Sequence, residues 1–283
     1  MYNRILPAIK AGGFIISWLI IDFLLYILII GGICILMEKS FNISDTESYS
    51  TAEMVMMTSV SFIATFFVIH VFQASKNWNF SLTEVGLTNN SILPNLIKGV
   101  SIGALLVLFT VLPLIVFDAI NIKANTFIIA DLAGYVLIFS LVAVYEELLT
   151  RGYLLSYLEK HYSRVIAVLI SAIIFSLLHI FNGNFNLLEC FNLILVGIFL
   201  AALKFRYQNL WVPVGTHFSW NFIQGSVLSF PVSGIDIPSI YLISFEENTI
   251  FNGGLFGIEG SFLSTVIFIA LVIYFRNTFI ISE

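Results

Sequence analysis

Charge is scarce in this chain. Only 10% of its 283 residues are Asp, Glu, Lys or Arg, against roughly 25% in an ordinary soluble domain. Hydrophobic residues make up 59%, and mean hydropathy is +1.00. A soluble globule needs far more polar surface, so that class is excluded. Disorder is excluded as well, because it requires low hydrophobicity and high net charge. A basic surplus is missing: 12 Lys+Arg stand against 17 Asp+Glu, and no nucleic-acid partner is expected. Cysteine is nearly absent. Cys34 and Cys190 lie inside apolar runs, where a thiol behaves as a small hydrophobe, and neither a disulfide framework nor zinc-knuckle spacing is present. A cleavable leader is not expected, because the apolar run from Phe14 is too long and no small-residue cleavage site follows it. What these absences leave is an all-α polytopic membrane protein, read as one integral-membrane domain over 1–283.

A bilayer core of about 30 Å takes around 20 apolar helical residues. Eight stretches qualify, at about 13–37, 54–74, 97–117, 127–158, 164–182, 187–206, 208–230 and 261–281. The fourth passes through Glu146, Glu147 and Arg151, and reads as one long tilted helix or as a helix kinked near Gly134 or Gly152. Orientation follows from Lys and Arg. With both termini cytoplasmic, Arg4, Lys10, Lys76, Lys98, Lys160, Arg164, Lys204, Arg206 and Arg276 flank the inner side, and Lys39 and Lys123 the outer side; Arg151 is discounted as intramembrane. Between the last two stretches, 231–260 carries Asp236, Glu246, Glu247 and Glu259, several glycines and no Lys or Arg. It reads as an ordered acidic lid.

Ionisable groups inside a bilayer cost about 2.5–3.5 kcal/mol each on insertion scales, which makes them functional candidates. Asp22 and His70 stand alone in their stretches and read as structural hydrogen-bonding groups; Glu189 reads as interfacial. Asn192 and Asn221 are uncharged companions. The remainder form a pattern. Glu147 and Arg151 are i, i+4 and can pair on one helix face, while Glu146 points about 100° away. Phe175 precedes His179 by one turn, and His217 precedes Asn221 by one turn. Counted from the nearest inner-side charge, Glu146, His179 and Asn221 lie 14, 15 and 15 residues in, and His217 lies 11. At 1.5 Å per residue these depths are about 21, 22, 22 and 16 Å. Four polar side chains from three helices therefore share one layer, as a hydrated pocket requires.

Such a pocket suits few reactions. A desolvated carboxylate can act as general base, and imidazoles with an amide can hold a water and stabilise an oxyanion. Hydrolysis of a peptide bond by activated water is the simplest match. The sequence lacks the His-Glu-x-x-His zinc signature, the Gly-x-Ser-x-Gly elbow and a pair of intramembrane aspartates. Ser176 and Ser219 lie near the histidines without a third group for a triad.

Glu-Glu-x-x-x-Arg at 146–151, Phe-x-x-x-His at 175–179 and His-x-x-x-Asn at 217–221, in this order on successive late stretches, resemble the CPBP family, the CAAX-protease and bacteriocin-processing enzymes also called Abi. The resemblance extends over about 130–280 and includes the Gly-rich run from Asn252 to Ser261; residues 1–125 match only in being hydrophobic. It implies an eight-helix intramembrane glutamic endopeptidase with no metal and no other cofactor. By the same resemblance, Glu146 and His179 activate water, His217 and Asn221 form the oxyanion hole, and Glu147 and Arg151 support the acid. Phe175 reads as core packing or a pocket wall, and the Glu147–Arg151 pair as chiefly structural. A peptide or lipidated-protein substrate is implied, together with membrane lipid and a membrane-protein partner. The Ile-, Asn- and Phe-rich composition suggests a bacterial membrane. Two other readings stay open: a catalytically silent immunity or regulatory protein, and a metal peptidase with Glu146, His179 and His217 as ligands. A transporter is disfavoured, because no repeated pair of broken helices is evident.

Overall fold

The structure, a computed structural model, describes residues 2–32, 50–88, 91–126, 129–245 and 249–279. Cys34, Lys39, Glu246 and Glu247 lie outside the described residues, as do the far ends of the first and last expected stretches. The described chain is a helical bundle. Helix α1 covers Tyr2–Tyr26 and continues through a π-helical turn, Ile27–Gly31. Next come α2, Thr51–Gln73, and α3, Ile92–Val116. Helix α4 runs Ile129–Glu147, widens into a π-helical segment at Leu148–Leu154 and closes at Leu155–Glu159. Helices α5, Arg164–Leu177, and α6, Leu187–Tyr207, follow. Helix α7 covers Trp211–Phe222 with a π-helical continuation, Ile223–Val227. Helix α8 covers Phe262–Phe275.

These eight helices fall on the eight expected stretches, but they are not equal. Six are long and apolar enough to cross a membrane. Helix α5 has 14 residues, about 21 Å at 1.5 Å per residue, short of the 30 Å core. Helix α7 is likewise outside the six. The expected fifth stretch ran to 182; its helix ends at Leu177, and the chain turns through His179 to Asn184 even though Ile180 and Phe181 are apolar. Both short helices carry motif residues at or near the place where the chain stops or distorts. Helix α6 is the axis of the bundle: 67% of its apolar window is buried, against 17–39% for the other five long helices.

Close helix approach in a membrane depends on small residues, because lipid tails supply no hydrophobic drive toward association. The α3–α7 contact uses Gly99 and Gly103 from one side and Gly215 from the other. A Cβ on Gly103 would lie 2.1 Å from Ser219 Oγ and 2.4 Å from the Thr216 carbonyl oxygen. Gly103→Val should therefore force α3 away from α7 and destabilise the fold by about 1–3 kcal/mol. Thermal unfolding in mild detergent would show it, and Ser219→Ala should give no rescue because the Thr216 backbone still blocks the space.

Two polar stretches prove to be folded. Residues after α2 tuck Trp78 between Phe14 and Tyr157, with ring centroids 4.5 and 4.0 Å away. The described parts of the 231–260 segment, 231–245 and 249–260, lie over one end of the bundle as a cap. Its strand β2, Tyr241–Ser244, pairs antiparallel with β1, Asn121–Ala124, which precedes α4; this ribbon is not foreseen by an all-α reading. Phe256 and Ile258 of the cap are buried, as is Phe230 just before it. The α6 side chain Asn192 ties the cap down: its Nδ2 donates to the Glu259 and Ser261 carbonyls at 2.9 Å each, and its Oδ1 accepts from Thr265 Oγ1 at 2.6 Å. An apolar helix can carry such an amide only if its hydrogen bonds are satisfied.

Candidate active site

Glu146 and Glu147 end the regular part of α4, and the π-helical segment that follows is buried at every residue. A π turn leaves backbone carbonyls without their usual intrahelical partners, and in a membrane these must be satisfied internally. Side chains do so here. Thr150 Oγ1 donates to the Glu146 carbonyl at 2.5 Å, and Ser171 Oγ to the Thr150 carbonyl at 3.0 Å. Lys204 Nζ donates to the Arg151 carbonyl at 2.6 Å and to Ser156 Oγ at 3.0 Å. Lys204 is thus a buried brace and not the interfacial flank charge expected of it; its α6 position faces the π segment of α4.

Ahead of this segment the two glutamates diverge as their adjacent positions require. Glu147, with its side chain at 0% exposure, accepts from Arg151 Nη1 at 3.1 Å. Arg151 also donates to Thr150 Oγ1 at 2.7 Å and lies 4.0 Å over the Phe175 ring, a cation–π contact made strong by burial. Glu147 has a second partner that spacing alone does not reveal: His217 Nδ1 lies 3.1 Å from its Oε1. The motif residues Arg151, Glu147 and His217 therefore form one chain of contacts from α4 to α7.

Glu146 faces a cavity of about 340 Å³ lined by residues that include His179, His217, Asn221, Phe175 and Glu259. Among the described residues its Oε2 is buried with no hydrogen-bond partner. It lies 4.0 Å from His179 Nε2 and 3.9 Å from His217 Nε2. These spacings are too long for direct hydrogen bonds, yet one oxygen roughly 2.8 Å from both atoms of such a pair would subtend about 90°, an angle a water can adopt. The two imidazoles are held differently. His179 stands in the turn just past α5, and its Nδ1 lies 2.8 Å from the Phe175 carbonyl. A carbonyl only accepts, so Nδ1–H donates and neutral His179 turns a lone pair at Nε2 toward Glu146. The same contact satisfies one of the free carbonyls at the helix end. His217 instead places Nδ1 on a carboxylate.

Of the expected site residues, the structure brings Glu146, His179, His217, Asn221 and Phe175 to one cavity, with Glu147 and Arg151 directly behind it. Other readings need correcting. Glu189, in the first turn of α6, is buried, with its carboxylate packed against Gly260 of the cap. His70 is exposed near the end of α2. The depth count placed His179 on a helix, whereas it lies beyond one. Sequence reasoning missed Glu259 as a site group. It sits in a short 3-10 turn, Ile258–Gly260, and lines the cavity while its Oε1 accepts from the Ser233 N–H and, at 2.9 Å, from Ser233 Oγ. Burial pushes the Glu259 carboxyl above the ordinary carboxylate range, against the opposing pull of Ser233 and of the two imidazoles. The available signal was a lone acid inside a glycine-rich run.

A family model described as type II CAAX prenyl endopeptidase Rce1-like matches residues 128–223, about a third of the chain. The match agrees with the resemblance to CPBP proteins. It spans α4 to α7 and so includes Glu146, Glu147, Arg151, Phe175, His179, His217 and Asn221; the cap with Glu259 lies beyond it. The chain is thus similar, over this stretch, to proteases of the CAAX type. No curated protein matches the chain.

Proposed function

We propose that the protein is an intramembrane glutamic endopeptidase that hydrolyses a peptide bond of a membrane-associated, prenylated or bacteriocin-like substrate. The observation that carries this reading is the placement of Glu146 Oε2 at 4.0 and 3.9 Å from the Nε2 atoms of His179 and His217 in a partly open cavity. In the proposed reaction Glu146 takes a proton from water as its oxygen attacks the scissile carbonyl carbon, and His179, whose neutral Nε2 is an acceptor, helps to hold that water. The carbonyl oxygen becomes an oxyanion. A doubly protonated His217 keeps Nδ1–H on Glu147 and directs Nε2–H into the cavity, so with the Asn221 amide it supplies the donors an oxyanion needs. The proton then passes to the departing amine, the C–N bond breaks, and a carboxylate and an amine leave. Glu147 orients His217 and offsets its charge, and Arg151 holds Glu147 in place.

Purified protein in lipid nanodiscs should cleave members of a peptide panel that includes prenylated CAAX and bacteriocin-like sequences. Activity should disappear in Glu146→Ala and persist in excess chelator. Undiminished cleavage by Glu146→Ala removes the mechanism, and loss with chelator that added zinc restores would move the assignment to a metal peptidase.

A further inference from the structure

Among the described residues, the cavity lining includes two carboxylates, Glu146 and Glu259, and no Lys or Arg. Its other ionisable groups are His179, His217 and Tyr145, and Nδ1 of each imidazole is already engaged by the protein. The nearby guanidinium of Arg151 is taken up by Glu147, Thr150 and the Phe175 face behind the wall. Glu146 is committed to the proposed chemistry. Glu259 is not, and it is built in with care: both Ser233 donors go to Oε1, and among the described residues no hydrogen bond engages Oε2. Asn192 fixes the backbone on both sides of the turn through the Glu259 and Ser261 carbonyls. A buried carboxylate held at one oxygen, with imidazoles as the cationic neighbours that the cavity lining offers, suits a ligand that brings a permanent positive charge.

We infer that Glu259 is a specificity-determining residue that recognises a cationic side chain, Lys or Arg, next to the scissile bond of the peptide substrate. This rests on the proteolytic reading of the cavity. A cation entering a low-dielectric chamber loses its hydration and must be paired; Glu259 provides the pair, and the apolar lining takes the aliphatic stem. The substrate class that fits is a peptide segment with a basic residue beside the cut.

Recognition can be read by binding alone, apart from turnover. The probes are fluorescent apolar peptides with one lysine scanned along their length, paired with twins bearing acetyl-lysine or glutamate at the same position. Binding to the full chain in zwitterionic nanodiscs at physiological salt is measured by anisotropy. At one register the lysine peptide should bind at least about tenfold tighter than its acetylated twin, a factor expected of one charge-assisted contact. Glu259→Gln, which keeps an acceptor for Ser233, should reduce that preference to under about twofold and leave the acetylated peptide unaffected; Glu259→Asp should retain it. Equal binding of the twins at every register, a preference unchanged in Glu259→Gln, or tightest binding of the glutamate peptide would each overturn the inference. Equal binding of the twins by the wild-type chain overturns the inference even if a variant fails to fold, and loss of the preference in Glu259→Gln with retention in Glu259→Asp assigns it to Glu259. Cleavage of the same peptides is scored separately: discrimination in binding without any cleavage rejects only the protease, and cleavage indifferent to charge rejects only the role of Glu259.

Discussion

Glu146→Gln should slow peptide cleavage by about 10³-fold, within the range of a lost general base, and at the same time raise the melting temperature. The first half follows from chemistry, since an amide cannot take the proton from water. The second follows from the state of the native carboxylate. Among the described residues Oε2 of Glu146 is buried without a hydrogen-bond partner, imidazole nitrogens lie 3.9 and 4.0 Å from it, and Oε1 accepts only a long bond of 3.4 Å from Tyr145. Such a group is held against its hydration energy by the surrounding fold. Glutamine has the same shape, carries no charge and can donate to an imidazole nitrogen. A gain on the order of 1 kcal/mol would show as about 2–4 °C in a chain of this size. Differential scanning fluorimetry in detergent, run beside a cleavage assay, reads both quantities. A variant that is inactive because it has unfolded would have a lower melting temperature, and a variant that cleaves at the wild-type rate would show that Glu146 is not the base.

The second large effect concerns the ion pair behind the cavity. Arg151→Met should cost about 3 kcal/mol, the low end of the penalty for breaking a buried pair, because Glu147 has no exposed surface from which to recover hydration and keeps His217 as its remaining partner. Arg151 also donates to Thr150, whose hydroxyl caps the Glu146 carbonyl, so the π segment loosens with it. The double variant Glu147→Gln with Arg151→Met should recover a large part of that stability, since no lone charge remains and a methionine packs well on Phe175. Activity should not return with stability: His217 would keep an acceptor for Nδ1 but lose the carboxylate that balances a doubly protonated ring. Chemical unfolding with the two single variants and the double closes a thermodynamic cycle. An interaction energy near zero would contradict the buried pair, and full activity in the double variant would remove Glu147 from the proposed mechanism.

The convergence of Glu146, His179, His217 and Asn221 is legible from sequence because depth in a bilayer is counted in residues, and hydropathy supplies the origin of the count. The pairing of Glu147 with Arg151 is legible for an equally local reason, the i, i+4 geometry. What is not legible depends on the third dimension. Nothing along the chain says that His217 reaches Glu147 from another helix, or that Lys204 turns inward to a carbonyl of α4; by position the lysine looks like any basic residue at a span end. The early end of α5 is missed because apolar residues continue past Leu177, while the histidine's bond to the Phe175 carbonyl closes the helix. Glu259 is missed because acidic glycine-rich sequence usually lies in water, and only the anchoring by Asn192 brings it inside.

The axis helix and its neighbours have a practical implication for dissecting the molecule. The stretch from 128 to 223 bears every reactive group of the proposed chemistry, yet the chamber in which they meet is walled by Trp18 and Met54 from the first two helices, Leu106 from the third, Val232 and Glu259 from the cap, and Phe268 from the last. Expressed alone, that middle third would expose its acid and imidazoles to lipid or solvent instead of enclosing them. Minimal fragments and chimaeras should therefore be cut so that both flanking portions travel with the motif, including the terminal helix that supplies no motif residue.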